Sequence, residues 1–140
     1  MDGRVAVIGG GLVGCETAEF IADSSHEVII IEALDEIARD AERLHRRFLI
    51  KRLEKKCLRI ITKATLKEIR ENCVLIGKNN EEVKIENVNS IVLALGYESN
   101  NKIEFSSNDR NIFVYDIGDY KKPRNILNAI HEGFRLANSL

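Results

Sequence analysis

The chain of 140 residues is 44% hydrophobic, which is enough to bury a core of its own in one ordinary domain. Lys and Arg number 21 against 22 Asp and Glu, so the near-neutral charge gives no reason to expect nucleic acid or an acidic membrane surface as a partner. No apolar run approaches the roughly 20 residues of a membrane span, and no signal segment precedes the first apolar run. Three cysteines without CxxC spacing argue against a metal site, and we expect a cytoplasmic protein without a membrane segment.

The N-terminal segment has the pattern of a βαβ unit. The run "RVAVIG", residues 4–9, is continuously apolar and ends in glycine, which is typical of a strand buried on both faces. Helical spacing of apolar residues follows over 12–22, and "EVIIIE", residues 27–32, is a second buried strand. Two parallel strands with a helix between them cross over right-handed.

The next segment, residues 36–56, predicts one long helix. Apolar residues mark one face, namely Ile37, Ala41, Leu44, Phe48 and Leu53. Arginines and lysines occupy the other face, but no aromatic residues lie between them. We therefore interpret the basic face as solvated and not as a site for a nucleic-acid backbone.

The middle of the chain predicts strands of two kinds. "LRIIT", residues 58–62, and "SIVLALG", residues 90–96, are continuously apolar, whereas the three segments between them alternate apolar and polar residues. Alternation is typical of an antiparallel meander with one exposed face. The predicted fold class is therefore α/β: a Rossmann-like parallel sheet flanked by helices, with an antiparallel three-stranded meander as one crossover.

The C-terminal segment predicts a strand and a helix. "IFVYDIGD", residues 112–119, has the composition of a strand, and residues 123–140 have helical spacing with Pro123 at the start. An apolar strand needs a neighbouring strand. We expect it either beside strand 90–95, giving a parallel order 3-2-1-4-5, or on the sheet of a second molecule in a homodimer formed by exchange of the tail.

The loop after the first strand predicts a dinucleotide site. Gly9, Gly11 and Gly14 fit the pattern G-x-G-x-x-G between a strand and a helix. The first glycine permits the tight turn, the second lets a pyrophosphate approach the backbone, and the third lets the helix pack against the strand. The remaining residues of this phosphate loop are Gly10, Leu12 and Val13.

An acid at the end of the second strand indicates which nucleotide binds. Glu32 follows Gly11 by 21 residues, the position from which a carboxylate accepts hydrogen bonds from an adenosine ribose. It would repel a 2′-phosphate, and the next residues, Ala33 and Leu34, offer no arginine to one. NAD(H) is therefore favoured over NADP(H). Because FAD domains share the glycine pattern, FAD at Gly9–Gly14 remains an alternative.

Four segments together resemble a known family. They are "GGGLVGCETAEF", "IIIEALDEIARD", "VLALGYESNN" and "IGDYKKPRNILNAIHEGFRLA". They resemble the C-terminal region of bacterial NADH:flavin oxidoreductases of the enoate reductase and 2,4-dienoyl-CoA reductase type. The resemblance implies that hydride passes from NADH to FAD and that an activated alkene is the final acceptor. It also implies a preceding barrel and further FAD-binding segments.

The resemblance assigns residues as well. Residues 1–105 match an NAD(H)-binding domain, and residues 106–140 match the final strand–helix piece of an FAD-binding domain. Within the first, Glu16 matches an acid near the nicotinamide end, and Ala94, Leu95 and Gly96 match the motif that closes the domain beside the nucleotide. Within the second, Gly118 and Asp119 match a pair whose acid contacts the FAD ribitol.

The single dinucleotide fingerprint decides what the chain is expected to do alone. The related enzymes need a second fingerprint for FAD, and this sequence holds one. The sequence therefore predicts the NADH-binding part of a flavin-dependent oxidoreductase, inactive without the FAD and barrel portion as its partner. A free-standing NAD-binding sensor or interaction module is the alternative.

Overall fold

The computed structural model describes residues 3–24, 26–56, 58–100 and 112–140. The chain divides into two compact units, Met1–Leu95 and Gly96–Leu140. The helices and strands in chain order are β1 (Arg4–Ile8), α1 (Leu12–Ala22), β2 (Glu27–Ile31), α2 (Arg43–Lys55), β3 (Arg59–Ile61), β4 (Ala64–Arg70), β5 (Cys73–Lys78), β6 (Glu81–Glu86), β7 (Val88–Leu93), α3 (Gly118–Lys121) and α4 (Ile126–Ala137).

The first unit contains a parallel sheet with both faces covered. Its strand order is β3-β2-β1-β7, and the register places Val7 between Ile30 and Val92. Successive side chains of a strand point to opposite faces. Accordingly Val7 and Ile30 belong to the core cluster shared with α1 and α2, whereas the neighbouring Ile8 and Ile31 belong to the cluster shared with the meander. This double covering explains why β1 and β2 are continuously apolar.

The antiparallel meander is a separate three-stranded sheet in the order β4-β5-β6. Its central strand is the most buried, with Val74 and Ile76 fully enclosed against the parallel sheet. The outer strands expose most of their residues, which agrees with their alternating sequence. The predicted α/β class, with a Rossmann-like sheet and a meander crossover, is confirmed.

The long helix predicted over 36–56 is shorter than expected. Helix α2 begins at Arg43, after Glu42 accepts hydrogen bonds from the N–H groups of Leu44 and His45 at 2.9 and 3.0 Å. Such an N-cap satisfies amides that have no partner inside the helix. Upstream, Ala38 has a φ of 50°, a left-handed conformation that cannot continue a right-handed helix.

The predicted apolar face of this helix is also partly wrong. Leu53 is fully buried as expected, and it is joined by Leu49. Leu44 and Phe48, however, are 60% and 54% exposed, because the helix turns the 49/53 stripe toward the core. Ile37 is buried too, but from a loop rather than from a helix.

The C-terminal strand is absent from the structure. Residues 112–117 form no strand, and within the described residues the parallel sheet ends at β7, so the order 3-2-1-4-5 is wrong. Ile112 and Phe113 are 68% and 82% exposed. A strand forms only where a neighbour supplies ladder hydrogen bonds, and no described segment supplies them here.

The C-terminal helix is present but begins later than expected. Helix α4 starts after Asn125, whose side chain accepts a hydrogen bond from the N–H of Asn128 at 3.0 Å. Pro123 therefore lies before the cap and not in the first turn. No residue of α4 is buried, although the helix is strongly amphipathic and one of its faces is apolar. No helix in the described ranges is long and apolar enough to cross a membrane.

Candidate functional site

The phosphate loop connects β1 to α1 at the edge of the sheet where the parallel strands end. Gly9 has a φ of 105°, and a Cβ there would lie 2.8 Å from the carbonyl carbon of Ala94. A Cβ on Gly14 would collide with the carbonyl oxygen of Gly9. These two glycines are therefore required by contacts within the protein, as expected for a tight turn and close helix packing.

Gly11 differs from the other two glycines. Its φ of −65° and ψ of 179° are open to any residue. A Cβ there would meet nothing closer than the carboxylate oxygens of Asp40 at 3.6 Å, which is ordinary van der Waals contact. Neither backbone conformation nor protein packing explains a glycine at this position. The space in front of it fits a group that must approach the backbone closely.

The first turn of α1 offers backbone donors beside this space. The N–H of Leu12 donates to Asp40 Oδ1 at 2.8 Å, while no described residue accepts a hydrogen bond from the N–H of Val13 or Gly14. Gly11 is the N-cap residue and has no side chain to cap the helix. A helix end of this kind carries partial positive charge and favours an anion.

Glu32 lies directly after β2 and is 9% exposed. Its Oε2 accepts a hydrogen bond from the N–H of Gly10 at 2.5 Å, and its Oε1 accepts one from the N–H of Leu34 at 2.7 Å. The carboxylate thus fixes the phosphate loop to the end of β2. Because each carboxylate oxygen has two lone pairs, both oxygens retain acceptor capacity.

Several predicted residues surround this centre. Ala94 lies against Gly9, and its N–H donates to Ile8 O at 2.7 Å, so β7 ends next to the phosphate loop. Leu95 is 69% exposed. Ala33 is exposed at the start of the following loop, and Glu16 is exposed on α1 with its Oε1 4.0 Å from His45 Nε2.

The remaining predicted residues belong to the second unit. Gly96 has a φ of 85° and open space where a Cβ would stand. Gly118 has a φ of 61°, and its N–H donates to Glu132 Oε2 at 2.8 Å. Asp119 lies in the first turn of α3, and its Oδ1 accepts a hydrogen bond from the N–H of Arg124 at 3.4 Å. The role of Gly96 in the motif that closes the nucleotide-binding domain, and the roles of Gly118 and Asp119 toward a flavin, stay predictions.

The loop after β2 contributes residues to the site, although the sequence predicts a helix over most of it. We call residues 33–42 the cover loop. Within it the N–H of Ala38 donates to Gly10 O at 2.6 Å, and Asp40 reaches Leu12. The pattern predicts helix here because Ile37, Ala41 and Leu44 follow helical spacing. No spacing rule links Asp40 to the glycine motif.

A buried thiol backs the phosphate loop. Cys15 is fully buried on α1, and its Sγ lies 3.3 Å from Gly10 O as a weak donor. Burial raises the pKa of this thiol to about 11. Cys15 is therefore a packing residue and not a nucleophile at neutral pH.

The cover loop and α2 also enclose an open cavity of about 650 Å³. Five cations line it: Arg39, Arg43, Arg46, Arg47 and Lys51. Arg46 is held in place, because its Nε donates to Ile37 O at 2.9 Å and its Nη2 to Glu36 at 2.9 Å. Arg39 belongs to the cover loop and the other four cations belong to α2, so this positive charge favours an anion between the two elements.

Comparison with known proteins agrees with a dinucleotide-binding Rossmann-like fold. Residues 1–116 match the pyridine nucleotide-disulphide oxidoreductase family, and the chain belongs to that family. It therefore has the nucleotide-binding fold of flavoprotein oxidoreductases, whose cofactors are of the FAD and NAD(P) type.

Individual relatives are much longer than this chain. An NADH oxidase of Thermoanaerobacter brockii is 35% identical over 97% of the chain, and a bilirubin reductase of Mediterraneibacter gnavus is 34% identical over 99%. The chain spans about a fifth of their lengths, 21% and 22%. A solved 2-naphthoyl-CoA reductase complex matches with a TM-score of 0.73 and 27% identity, over 94% of this chain and 20% of that one.

Proposed function

We propose that this chain is the NADH-binding part of a flavin-dependent oxidoreductase. The observation that carries the proposal is Gly11, a glycine that no contact or dihedral angle of the protein requires, beside amides of α1 with no described partner. A pyrophosphate accounts for both features, because it needs close approach to the backbone and accepts hydrogen bonds from the amides.

Each residue of the site has a part in holding the nucleotide. The amides of Leu12, Val13 and Gly14 bind phosphate, and Glu32 accepts hydrogen bonds from the adenosine ribose while it holds Gly10 in place. We assign Glu16, Ala33, Ala94 and Leu95 to the rest of the nucleotide path, and Gly96 to the end of the motif that closes the domain. When bound, FAD supplies the chemistry of accepting a hydride from NADH.

The FAD contact and the acceptor come from a larger assembly. We assign residues 1–105 to the NAD(H)-binding domain and residues 106–140, with Gly118 and Asp119, to the end of an FAD-binding domain. The name of one relative, a cinnamate reductase, supports a conjugated, activated alkene as acceptor and an enzyme of the enoate reductase type, and the 2-naphthoyl-CoA reductase is named for an aromatic acyl thioester. The chain alone, with or without added FAD, is therefore expected to oxidise NADH no faster than free flavin.

The choice of NADH over NADPH rests on Glu32. A carboxylate that accepts hydrogen bonds from the adenosine ribose would repel the two negative charges of a 2′-phosphate bound on that ribose. The cations of the cover loop and of the first turn of α2 offer the opposing possibility. If Arg39 or Arg43 binds a 2′-phosphate, NADPH will bind as tightly as NADH, and Arg39→Gln will weaken NADPH alone.

The experiment is calorimetric titration of the unmodified chain, Gly11→Ala and Gly133→Ala with NADH, NADPH and FAD. Gly11→Ala puts a methyl group into the phosphate space and is expected to weaken NADH binding at least about tenfold, with a stability change of no more than about 1 kcal/mol. Gly133→Ala changes a glycine of α4 with nothing within 4 Å and should leave affinity unchanged.

Two results would overturn the assignment. Equal loss of NADH affinity in both variants would mean that glycine substitution acts through folding and not through the phosphate space. FAD binding more tightly than NADH to the unmodified chain would assign Gly9–Gly14 to FAD instead.

A further inference from the structure

The phosphate position described above is taken by a side chain of the protein itself. Asp40 Oδ1 accepts the hydrogen bond from the N–H of Leu12, the first amide of α1. The same carboxylate is the nearest group to the space in front of Gly11, at 3.6 Å from where a Cβ would be. One carboxylate therefore accepts from the amide that a phosphate would use and lies in the space that a phosphate would fill.

The cover loop holds Asp40 there by backbone contacts on either side. The N–H of Ala38 donates to Gly10 O at 2.6 Å, and the N–H of Ala41 donates to Ala38 O at 3.2 Å. Asp40 itself is exposed, and its bond to Leu12 is the one side-chain hydrogen bond found for it among the described residues. The side chain can leave without unfolding the loop.

We propose that Asp40 is an internal competitor for the nucleotide phosphate, which closes the site in the free chain and is displaced when the dinucleotide binds. The proposal rests on the proposed function, since it names what regulates that site. A carboxylate and a pyrophosphate cannot both accept from the N–H of Leu12, and their negative charges repel at such a distance. Binding of NADH therefore requires the Asp40 side chain to leave the N–H of Leu12.

An alternative role for Asp40 is that of a simple helix cap. Gly11 cannot cap α1, so a carboxylate supplied from the cover loop would stabilise the helix end. Capping and competition agree in the free chain, where both predict that loss of Asp40 lowers stability. They differ in the complex: a competitor weakens nucleotide binding, whereas a cap that stays in place supports it.

The experiment compares Asp40→Ala and Asp40→Asn with Asp35→Asn in the full chain. Asp35 lies in the same cover loop, pairs with Arg39 at 3.6 Å and is exposed, so its substitution removes the same charge without touching Leu12. We expect Asp40→Ala to bind NADH at least about tenfold more tightly, the order of magnitude that a charge-assisted hydrogen bond contributes. Asp35→Asn should change the affinity less than about twofold.

A spectroscopic measurement tests the displacement directly. In amide NMR spectra, Asp40→Ala should shift the Leu12 signal of the free chain, and this difference between the two proteins should vanish once NADH is bound to both. Unchanged or weaker NADH binding by Asp40→Ala, or a Leu12 difference that persists in the complexes, overturns the proposal while leaving the proposed function intact. Failure of the unmodified chain and of all its variants to bind NADH overturns both the competitor proposal and the proposed function.

Discussion

At the scale of single residues, Glu32 combines a structural task with its proposed binding task. Its carboxylate accepts backbone hydrogen bonds from Gly10 and Leu34 and is almost fully buried. Removing a buried acceptor leaves its donors unsatisfied, which costs about 1–3 kcal/mol. A loss of nucleotide binding in a Glu32 variant can therefore have two causes, and the experiment must separate them.

Two substitutions of Glu32 separate these causes. Glu32→Ala removes both acceptors, and we expect at least about tenfold weaker NADH binding together with lower stability, by about 1–3 kcal/mol. Glu32→Gln keeps one acceptor oxygen and loses the charge that repels a 2′-phosphate. The difference between the affinities for NADH and NADPH should therefore be smaller in this variant than in the unmodified chain. Calorimetry with both nucleotides, alongside urea unfolding, provides the measurements. Equal affinity of the unmodified chain for NADH and NADPH would contradict the ribose assignment.

The reactivity of Cys15 follows from its surroundings. Burial raises the pKa of the Cys15 thiol to about 11, so the thiolate is scarce at neutral pH. The side chain is also fully buried, and a reagent in solution does not contact it in the folded chain. We expect iodoacetamide at about pH 8 to leave Cys15 unlabelled in the folded chain and to label it fully in urea. Mass spectrometry of the Cys15 peptide gives the extent. Rapid labelling of the folded protein would show that α1 opens locally next to the phosphate loop.

The sequence predicts the glycine positions of the site but not the residue that faces them. G-x-G-x-x-G after a strand is a local pattern, and Gly9 and Gly14 contact the atoms that this pattern implies. Asp40 meets Leu12 only because the cover loop folds back over β1 and α1. Such a contact depends on a loop conformation with no repeating geometry, and a single sequence has no signal for it.

At the scale of elements, the start of α2 shows where periodicity misleads. Ile37 and Ala41 are spaced by one helical turn, yet the chain between them takes a left-handed φ at Ala38. A left-handed φ costs an alanine roughly 1 kcal/mol. Alanine is otherwise a good helix former, and the local sequence therefore does not predict this turn. Contacts with Gly10 hold the loop in this form, and they exist only after β1 and α1 have packed together.

The two helices on one face of the sheet are joined by a charged pair. Arg52 on α2 donates two hydrogen bonds to Glu19 on α1, at 2.6 and 3.0 Å. The hydrogen bonds from Arg52 lower the pKa of Glu19, and the positive charges of Arg52 and Lys56 add to the effect. Arg52 is 45% exposed, so solvent screens the pair and keeps its contribution to stability small.

The sign of the pH dependence follows from this shift. A carboxyl whose pKa is lower in the folded chain stabilises the fold fully above the usual glutamate value of about 4.3, and the effect is lost as pH falls through the lower value. Glu19→Gln should therefore reduce stability at neutral pH and make little difference once the pH lies below the lowered pKa of Glu19. Urea unfolding measures this, with Glu54→Gln, an exposed acid of α2, as control. A constant difference at all pH values would exclude the ion pair as its cause.

At the scale of the whole molecule, the sequence predicts those strands and helices whose apolar faces are covered by other parts of the same chain. The parallel strands run continuously apolar and the meander alternates, according to which faces are covered. Consecutive strands are neighbours from β1 to β3 and within the meander, and β7 returns to the free edge of β1. The tail was predicted wrongly because a strand pattern states a need for a partner and not which partner meets it. Residues 112–117 carry that pattern without a neighbour among the described residues.

The second unit consequently exposes an apolar face on α4. Ile126, Leu127, Ile130 and Phe134 are 80%, 57%, 61% and 71% exposed, although burying one such side chain is worth roughly 1.5–3 kcal/mol. We propose that the FAD portion of a longer polypeptide covers this face. A second copy of the chain, in a homodimer formed by exchange of the tail, is the partner available when the chain is studied alone.

We therefore predict that the isolated chain self-associates through this face. Sedimentation velocity over a range of concentrations should show a concentration-dependent dimer, and Ile130→Glu should shift it to monomer because a charge cannot be buried there without a partner. Phe20→Ser is the matched control, since Phe20 is 76% exposed on α1 of the first unit and its loss should leave the dimer intact. A chain that stays monomeric at every concentration, and binds no more of an apolar dye than Ile130→Glu does, would show that the α4 face is tolerated in water and needs no partner.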